Sequence, residues 1–120
     1  MPTTIRPIIV TNDLARLHAF YTGLLGAAET MRYPEDGDAF YVGLRLGDSE
    51  LGLSSDAGVV PGDPGRMLLS IEVPDVDAVL PAVAAHGGTA PGPANDMPWG
   101  QRVAHIEDPD GNVVNLTQQL

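Results

Sequence analysis

The chain contains no cysteine. That absence excludes a disulfide framework, a thiolate nucleophile and any zinc site built on sulfur. Lysine is missing too: all six basic residues are arginine, against 16 acidic ones, for a formal net charge of −10. A surface so poor in positive charge argues against a nucleic-acid partner, because phosphate binding draws on clustered Lys and Arg. No apolar run approaches the roughly 20 residues that span a bilayer, and no basic start leads into an apolar stretch. A cytoplasmic location without membrane association is therefore expected. The sequence has no Gly-x-Ser-x-Gly elbow, no P-loop and no Gly-rich dinucleotide motif. The stretch DGDAFYVGL lacks the acidic ladder and closing Glu of a calcium-binding EF-hand.

What remains is 120 residues, 43% of them apolar, enough for one domain with a core. Arginine as the sole basic residue, together with abundant Ala, Gly and Pro, matches the codon usage of a GC-rich bacterium. Residues 5–11 (IRPIIVT) read as a strand, and Thr11 or Asn12 is placed to cap a helix over DLARLHAFYTGLLG, where Leu14, Leu17, Tyr21 and Leu24 recur at helical spacing. Gly26 ends that helix. AETMRY, AFYVGLRL and SELGLSS follow as strands, separated by turn signals at Pro34-Glu35-Asp36-Gly37 and Gly47-Asp48. A Gly- and Pro-rich connection, about residues 56–66, leads to a second round. There MLLSIEV is a strand, Asp75 opens the helix DVDAVLPAVAAHGG, GTAPG is a candidate short strand, and QRVAHIE with NVVNLTQ forms a closing hairpin around Asp108-Pro109-Asp110-Gly111. Pro7 and Pro81 are out of place inside a ladder or a helix. Pro7 should sit where no donor is needed, and Pro81 in a first turn or at a kink.

A shift of 62 residues lays Asp13 on Asp75, Leu14 on Val76 and Gly26 on Gly88, and a shift of 63 lays Gly52 on Asn115. Helix start, helix stop and hairpin all coincide. The expected fold class is α+β: two β-α-β-β-β modules, about 5–55 and 67–120, forming a curved eight-stranded sheet around a shared cavity within one domain, 1–120.

Strand alternation selects the inward residues. In the second module Leu69, Ile71 and Val73 make the face that a helix covers, which leaves Leu68, Ser70 and Glu72 for the cavity. In the first, Arg6, Ile8 and Val10 turn inward. Phe40, Val42, Leu44 and Leu46 take the helix side of their strand, so Tyr41 and Arg45 take the other, and Glu50 and Ser54 flank Gly52. A three-residue loop with Gly111 in the left-handed region puts His105 opposite Asn115, with Val103, Val113 and Thr117 on the same face; a one-residue slip would turn His105 outward. Trp99, the single tryptophan, lies in the loop MPWG. It is placed either to stack on a planar ligand or to plug the core. Glu72 or Glu50 suits a cationic group and Arg6 a carboxylate, although Arg6 and Glu72 also have a plain reading as a pair or as solvated charges. His105 reads more readily as a hydrogen-bonded strand residue than as a catalyst, and His18 and His86 as structural helix residues.

VTNDLARLHAFYTGLLG, VPDVDAVLPAVAAHGG, PWG and EDPDGNVVNL together resemble the vicinal oxygen chelate superfamily, which includes glyoxalase, extradiol dioxygenases and bleomycin resistance proteins. The resemblance runs through essentially the whole chain. It implies a divalent metal held at four places, usually by His or another polar ligand on each module's first strand and by Glu on each last strand. In this sequence those places fall on Arg6, Gly52, Leu68 and Asn115. One is cationic, two have no side-chain donor, and Asn115 offers one neutral oxygen, so the expected cofactor is none.

The reading that follows is a metal-free protein that binds and sequesters a small, partly planar or cationic, antibiotic-like compound, in the manner of the superfamily's resistance members. Its ligand contacts would be Arg6, Ile8, Tyr41, Gly52, Leu68, Ser70, Glu72, Trp99, Val103, His105 and Asn115, with no catalytic residue and a homodimer as the assembly. The alternative is a metal-dependent lyase, isomerase or dioxygenase that holds its ion through His105 with Glu72 or Glu50. A sensory or accessory domain is a third reading.

Overall fold

The structure, a computed structural model, describes residues 5–62 and 68–120. Two compact units, Met1–Pro61 and Gly62–Leu120, divide the chain. The first contains β1 (Ile8–Thr11), α1 (Leu14–Leu25), β2 (Ala28–Tyr33), β3 (Tyr41–Leu46) and β4 (Ser49–Ser55). The second contains β5 (Leu69–Glu72), α2 (Val76–Val79) followed by two 3₁₀ turns, β6 (Asn95–Asp96), β7 (Gln101–Glu107) and β8 (Val113–Gln119). The sheet orders are β1-β4-β3-β2 and β5-β8-β7-β6. In both sheets the first strand runs parallel to the last and every other pair is antiparallel. The architecture is thus α+β with two β-α-β-β-β modules, as the repeat implies.

Each strand's alternation decides which face is covered. In the first unit Val42, Leu44, Leu51 and Leu53 are buried, as are Leu17, Phe20 and Tyr21 on α1. In the second, Ala104, Ile106, Val114 and Leu116 are buried together with Val76 and Val83 from the helical segment. The opposite faces carry the residues predicted to turn inward.

Several boundaries differ from the sequence reading. β1 begins at Ile8, because Pro7 has no N–H to give; its carbonyl instead accepts from Gly52 at 2.8 Å. The cap of α1 is Asp13, whose carboxylate accepts from the Arg16 N–H at 3.1 Å, while the Thr11 hydroxyl accepts from the Asp13 N–H. Thr11 and Asn12 are therefore not the cap; Thr11 orients the residue that is. β3 starts at Tyr41, so Phe40 leaves the covered face. It is half-exposed and meets Tyr33 edge-on, ring centroids 5.3 Å apart.

The second helix is α-helical only over Val76–Val79. Pro81 lacks the donor for an α-helical bond, and the chain continues as 3₁₀ turns at Leu80–Ala82 and Ala84–His86. Asp75 caps α2 through the Ala78 N–H, and Gln118 on β8 accepts from the Val76 N–H at 2.9 Å. GTAPG is not a strand: Thr89 makes one isolated bridge to Glu107, and the short edge strand is Asn95–Asp96. Within the connection, Asp56 makes an Asx turn onto Gly58; the expected positions 63–66 of the connection and Met67 of MLLSIEV lie outside the described residues.

Candidate functional site

The uncovered face of the first unit is built by register. The two-residue turn at Gly47-Asp48 sets Leu46 against Ser49, and counting back from it sets Arg45 against Glu50 and Gly43 against Gly52. Parallel pairing of β1 adds Ile8 beside Gly52. Three rows result. The first is a charged row in which Glu50 accepts from Arg6 Nε at 2.8 Å and lies 3.7 Å from the Arg45 guanidinium. The second is the nearly bare row Ile8, Gly52, Gly43. The third is Val10, Ser54 and Tyr41.

Tyr41 leans from its own row onto Gly52. A Cβ on residue 52 would meet the Tyr41 hydroxyl, with Tyr41 Cζ at 3.0 Å and Ile8 Cγ1 at 3.1 Å. The phenol lies where a side chain at residue 52 would begin, so any larger residue there must displace the Tyr41 ring. This contact was missed in the sequence, yet its signal was there: the turn that pairs Gly43 with Gly52 also brings Tyr41 one row away.

The uncovered face of the second unit has its own rows. His105, Asn115 and Ser70 form one, across β7, β8 and β5; Val103, Thr117 and Glu72 form the next. The expected pairing of His105 with Asn115 holds, and their side chains are joined at 2.6 Å from Nδ1 to Oδ1. The loop that fixes this register is a compact unit. Gly111 has φ 85°, its N–H donates to the Asp108 carbonyl, and the Asp108 N–H donates to the Asn112 carbonyl. The Asp108 carboxylate, 3% exposed, accepts from the N–H groups of Asp110 and Asn112 and from Asn112 Nδ2. Glu72 accepts from Gln119 Nε2 at 3.3 Å. Thr117 and Val103 are buried, so this part of the face is covered and Val103 is not an open contact surface.

Ile8 and Leu68 are 53% and 54% exposed, the latter just ahead of β5. Trp99 is 68% exposed, and its indole Nε1 donates to Gln101 Oε1 at 2.8 Å. It is therefore not a plug in the core. Of the expected ligand contacts, Arg6, Ile8, Tyr41 and Gly52 gather on the first face and Ser70, Glu72, Val103, His105 and Asn115 on the second, while Trp99 stands on a loop.

Other charged contacts hold elements rather than a site. Glu29 on β2 takes Arg32 at 2.8 Å and His18 of α1 at 3.1 Å; the Arg32 hydrogen bond holds the Glu29 carboxyl below the usual range. Arg102 clamps Asp96 at 2.7 Å and reaches Asp77 of α2 at 2.9 Å, which likewise lowers Asp96.

The four places where the resemblance puts metal ligands do not suit a divalent ion. Arg6 brings a guanidinium already bound to Glu50. Gly52 has no donor, and the Tyr41 phenol lies over it. Leu68 is a hydrocarbon, and the Asn115 oxygen is engaged by His105. Among the described residues no group of three or more His, Asp or Glu stands together as metal-binding sites require. His105 and Glu72 lie on strands separated by β8 and are offset by one row, and in this structure each side chain is engaged elsewhere, His105 by Asn115 and Glu72 by Gln119.

The profile of the Glyoxalase/Bleomycin resistance protein/Dioxygenase superfamily matches residues 4–116. The chain is similar in structure to a glyoxalase/bleomycin resistance protein/dioxygenase family enzyme from Burkholderia phytofirmans PsJN, with 24% identity, TM-score 0.79, and coverage of 96% of this chain and 97% of that one. It is similar to TioX from Micromonospora sp. ML1 at 21% identity and TM-score 0.78, covering 99% and 100%. It is also similar to the fosfomycin resistance protein FosX from Listeria monocytogenes at 13% identity and TM-score 0.78, covering 100% and 95%. A search of the curated proteins finds no match. At these identities the solved structures speak for the fold, while the profile spans nearly the whole chain: it belongs to the Glyoxalase/Bleomycin resistance protein/Dioxygenase superfamily.

Proposed function

We propose that this protein is a metal-free small-molecule binder that sequesters an antibiotic-like, partly planar or cationic compound, with both units as halves of one domain and a homodimer as the working assembly. The observation that carries this reading is the fate of the four ligand places, above all the Tyr41 phenol lying over Gly52. Binding of this kind works by surface complementarity: the first unit exposes Ile8 as apolar area, and the second exposes Leu68 and the Trp99 indole, a stacking plane. The net charge of −10 favours the approach of a cation. The structural likeness to a fosfomycin resistance protein supports a resistance role. Cytoplasmic location in a bacterium completes the reading; among the described residues no helix is long and apolar enough to cross a membrane.

The test is elemental analysis of protein purified without chelator, followed by fluorescence titration. We expect well under one equivalent of any transition metal, and quenching of Trp99 by at least one member of a panel of intercalating and glycopeptide antibiotics. Trp99 is the only tryptophan, so Trp99→Phe sets the background. One tightly held equivalent of iron, manganese, nickel or zinc would overturn the metal-free reading, and a panel without any response would overturn sequestration of such compounds.

A further inference from the structure

The His105–Asn115 contact sits at one of the four vacated ligand places, and its chemistry goes beyond filling one. The two residues face each other in the β7–β8 ladder, and their side chains meet at 2.6 Å between His105 Nδ1 and Asn115 Oδ1. With the Asn115 amide turned so that its oxygen faces the ring, as here, the imidazole donates from Nδ1, since an amide oxygen only accepts. A neutral imidazole carries one proton. With that proton on Nδ1, Nε2 is left with a bare lone pair, and His105 is exposed. The backbone of Asn115 is held, because its strand is locked between β5 and β7 and the Asp108 loop sets the register of the hairpin. Ser70, Val103, Thr117 and Val113 surround the pair in its own row and the rows on either side, and the charged groups there are Glu72, which accepts from Gln119, and Glu107 at the end of β7.

We propose that Asn115 is a positioning residue that holds His105 in the Nδ1–H tautomer, so that Nε2 accepts a hydrogen bond, and that the ligand class is therefore one presenting an O–H or N–H donor. This rests on the small-molecule-binding reading above and adds the polar group by which the ligand is recognised. The same residue that denies a cation its carboxylate gives the site a directed acceptor. A lone imidazole nitrogen with no second donor beside it binds a metal weakly but receives a hydrogen bond well.

The tautomer is measured on the ligand-free, uniformly ¹⁵N-labelled full chain, by long-range ¹H–¹⁵N correlation at a pH well above the ordinary imidazole range. Nε2 of His105 is expected at the shift of an unprotonated ring nitrogen and Nδ1 at that of a protonated one. Asn115→Asp keeps an acceptor oxygen and should keep this pattern. Asn115→Leu should lose it, with the remaining amide spectrum unchanged as the check on folding. A protonated Nε2 in the parent chain, or the same pattern in Asn115→Leu, would overturn the proposal whatever becomes of metal content or antibiotic binding. Phenol and anisole then serve as matched probes, one with an O–H and one without. Phenol is expected to move the His105 Nε2 resonance, with binding about three- to tenfold weaker in Asn115→Leu, the size of one hydrogen bond. Equal responses to the two probes, or none to phenol, would overturn the assignment of a donor ligand.

Discussion

Replacing Gly52 with alanine tests whether the Tyr41 ring truly rests on that residue. The new methyl would meet Tyr41 Cζ at 3.0 Å and Ile8 Cγ1 at 3.1 Å, with the Tyr41 hydroxyl nearer still. Forcing a methyl into packed contact costs about 1–3 kcal/mol. The low end applies, because Tyr41 is only half-buried and its ring tip can swing away about two torsions. Alanine within a strand is meanwhile about 0.5–1 kcal/mol better than glycine, through the smaller entropy of its unfolded chain. The two effects nearly cancel, so Gly52→Ala alone should destabilise by about 0–1 kcal/mol. In a Tyr41→Ala background the ring contribution is gone, and the same change should stabilise by about 0.5 kcal/mol. Urea unfolding of the four proteins gives the coupling, expected near 1 kcal/mol. A coupling below about 0.3 kcal/mol would mean that the ring does not rest on residue 52, and would reopen that place to a ligand.

Asp108→Ala should destabilise by about 2–4 kcal/mol in the same assay, since it strands buried donors of Asp110 and Asn112 that the carboxylate now satisfies; a loss under about 0.5 kcal/mol, the size of an ordinary surface change, would refute the role of that loop. Glu29 and Asp96 both have carboxyls held below their usual range by arginine. Their contribution is therefore complete above the unfolded carboxylate range, about pH 4, and is lost as pH falls through the depressed folded values. Thermal unfolding followed from pH 6 downward should show that acid limb, and Arg32→Met with Arg102→Met should flatten it; an unchanged limb would assign the acid loss to other carboxylates.

The elements legible in the sequence were those whose signals are local. SELGLSS and QRVAHIE match β4 and β7 residue for residue, because each alternates cleanly and abuts a recognisable turn. The pairing of His105 with Asn115 followed from the loop length and from Gly111 alone. What failed depended on competition between neighbours. Three adjacent polar residues, Thr11, Asn12 and Asp13, could each cap α1, and only backbone geometry selects Asp13. The edge strand Asn95–Asp96 contains residues unfavourable to strands and exists because β7 lies beside it, with Arg102 holding Asp96. The ligand places were legible as departures from a pattern. What replaces them was not, since the lean of Tyr41 over Gly52 and the engagement of Arg6 by Glu50 are long-range packing outcomes.

The repeat lays one half on the other, and the middle rows of their open faces are the equivalent triplets Ile8, Gly52, Gly43 and Ser70, Asn115, His105. The first carries no polar side chain there, and the second carries three hydrogen-bonding ones. A side chain at residue 43 would begin 3.0 Å from Met31 Cγ and Thr30 Oγ1, so an imidazole on the bare row would have to push both aside. The modules are therefore not interchangeable parts: the middle row of one offers space and that of the other offers hydrogen-bonding groups.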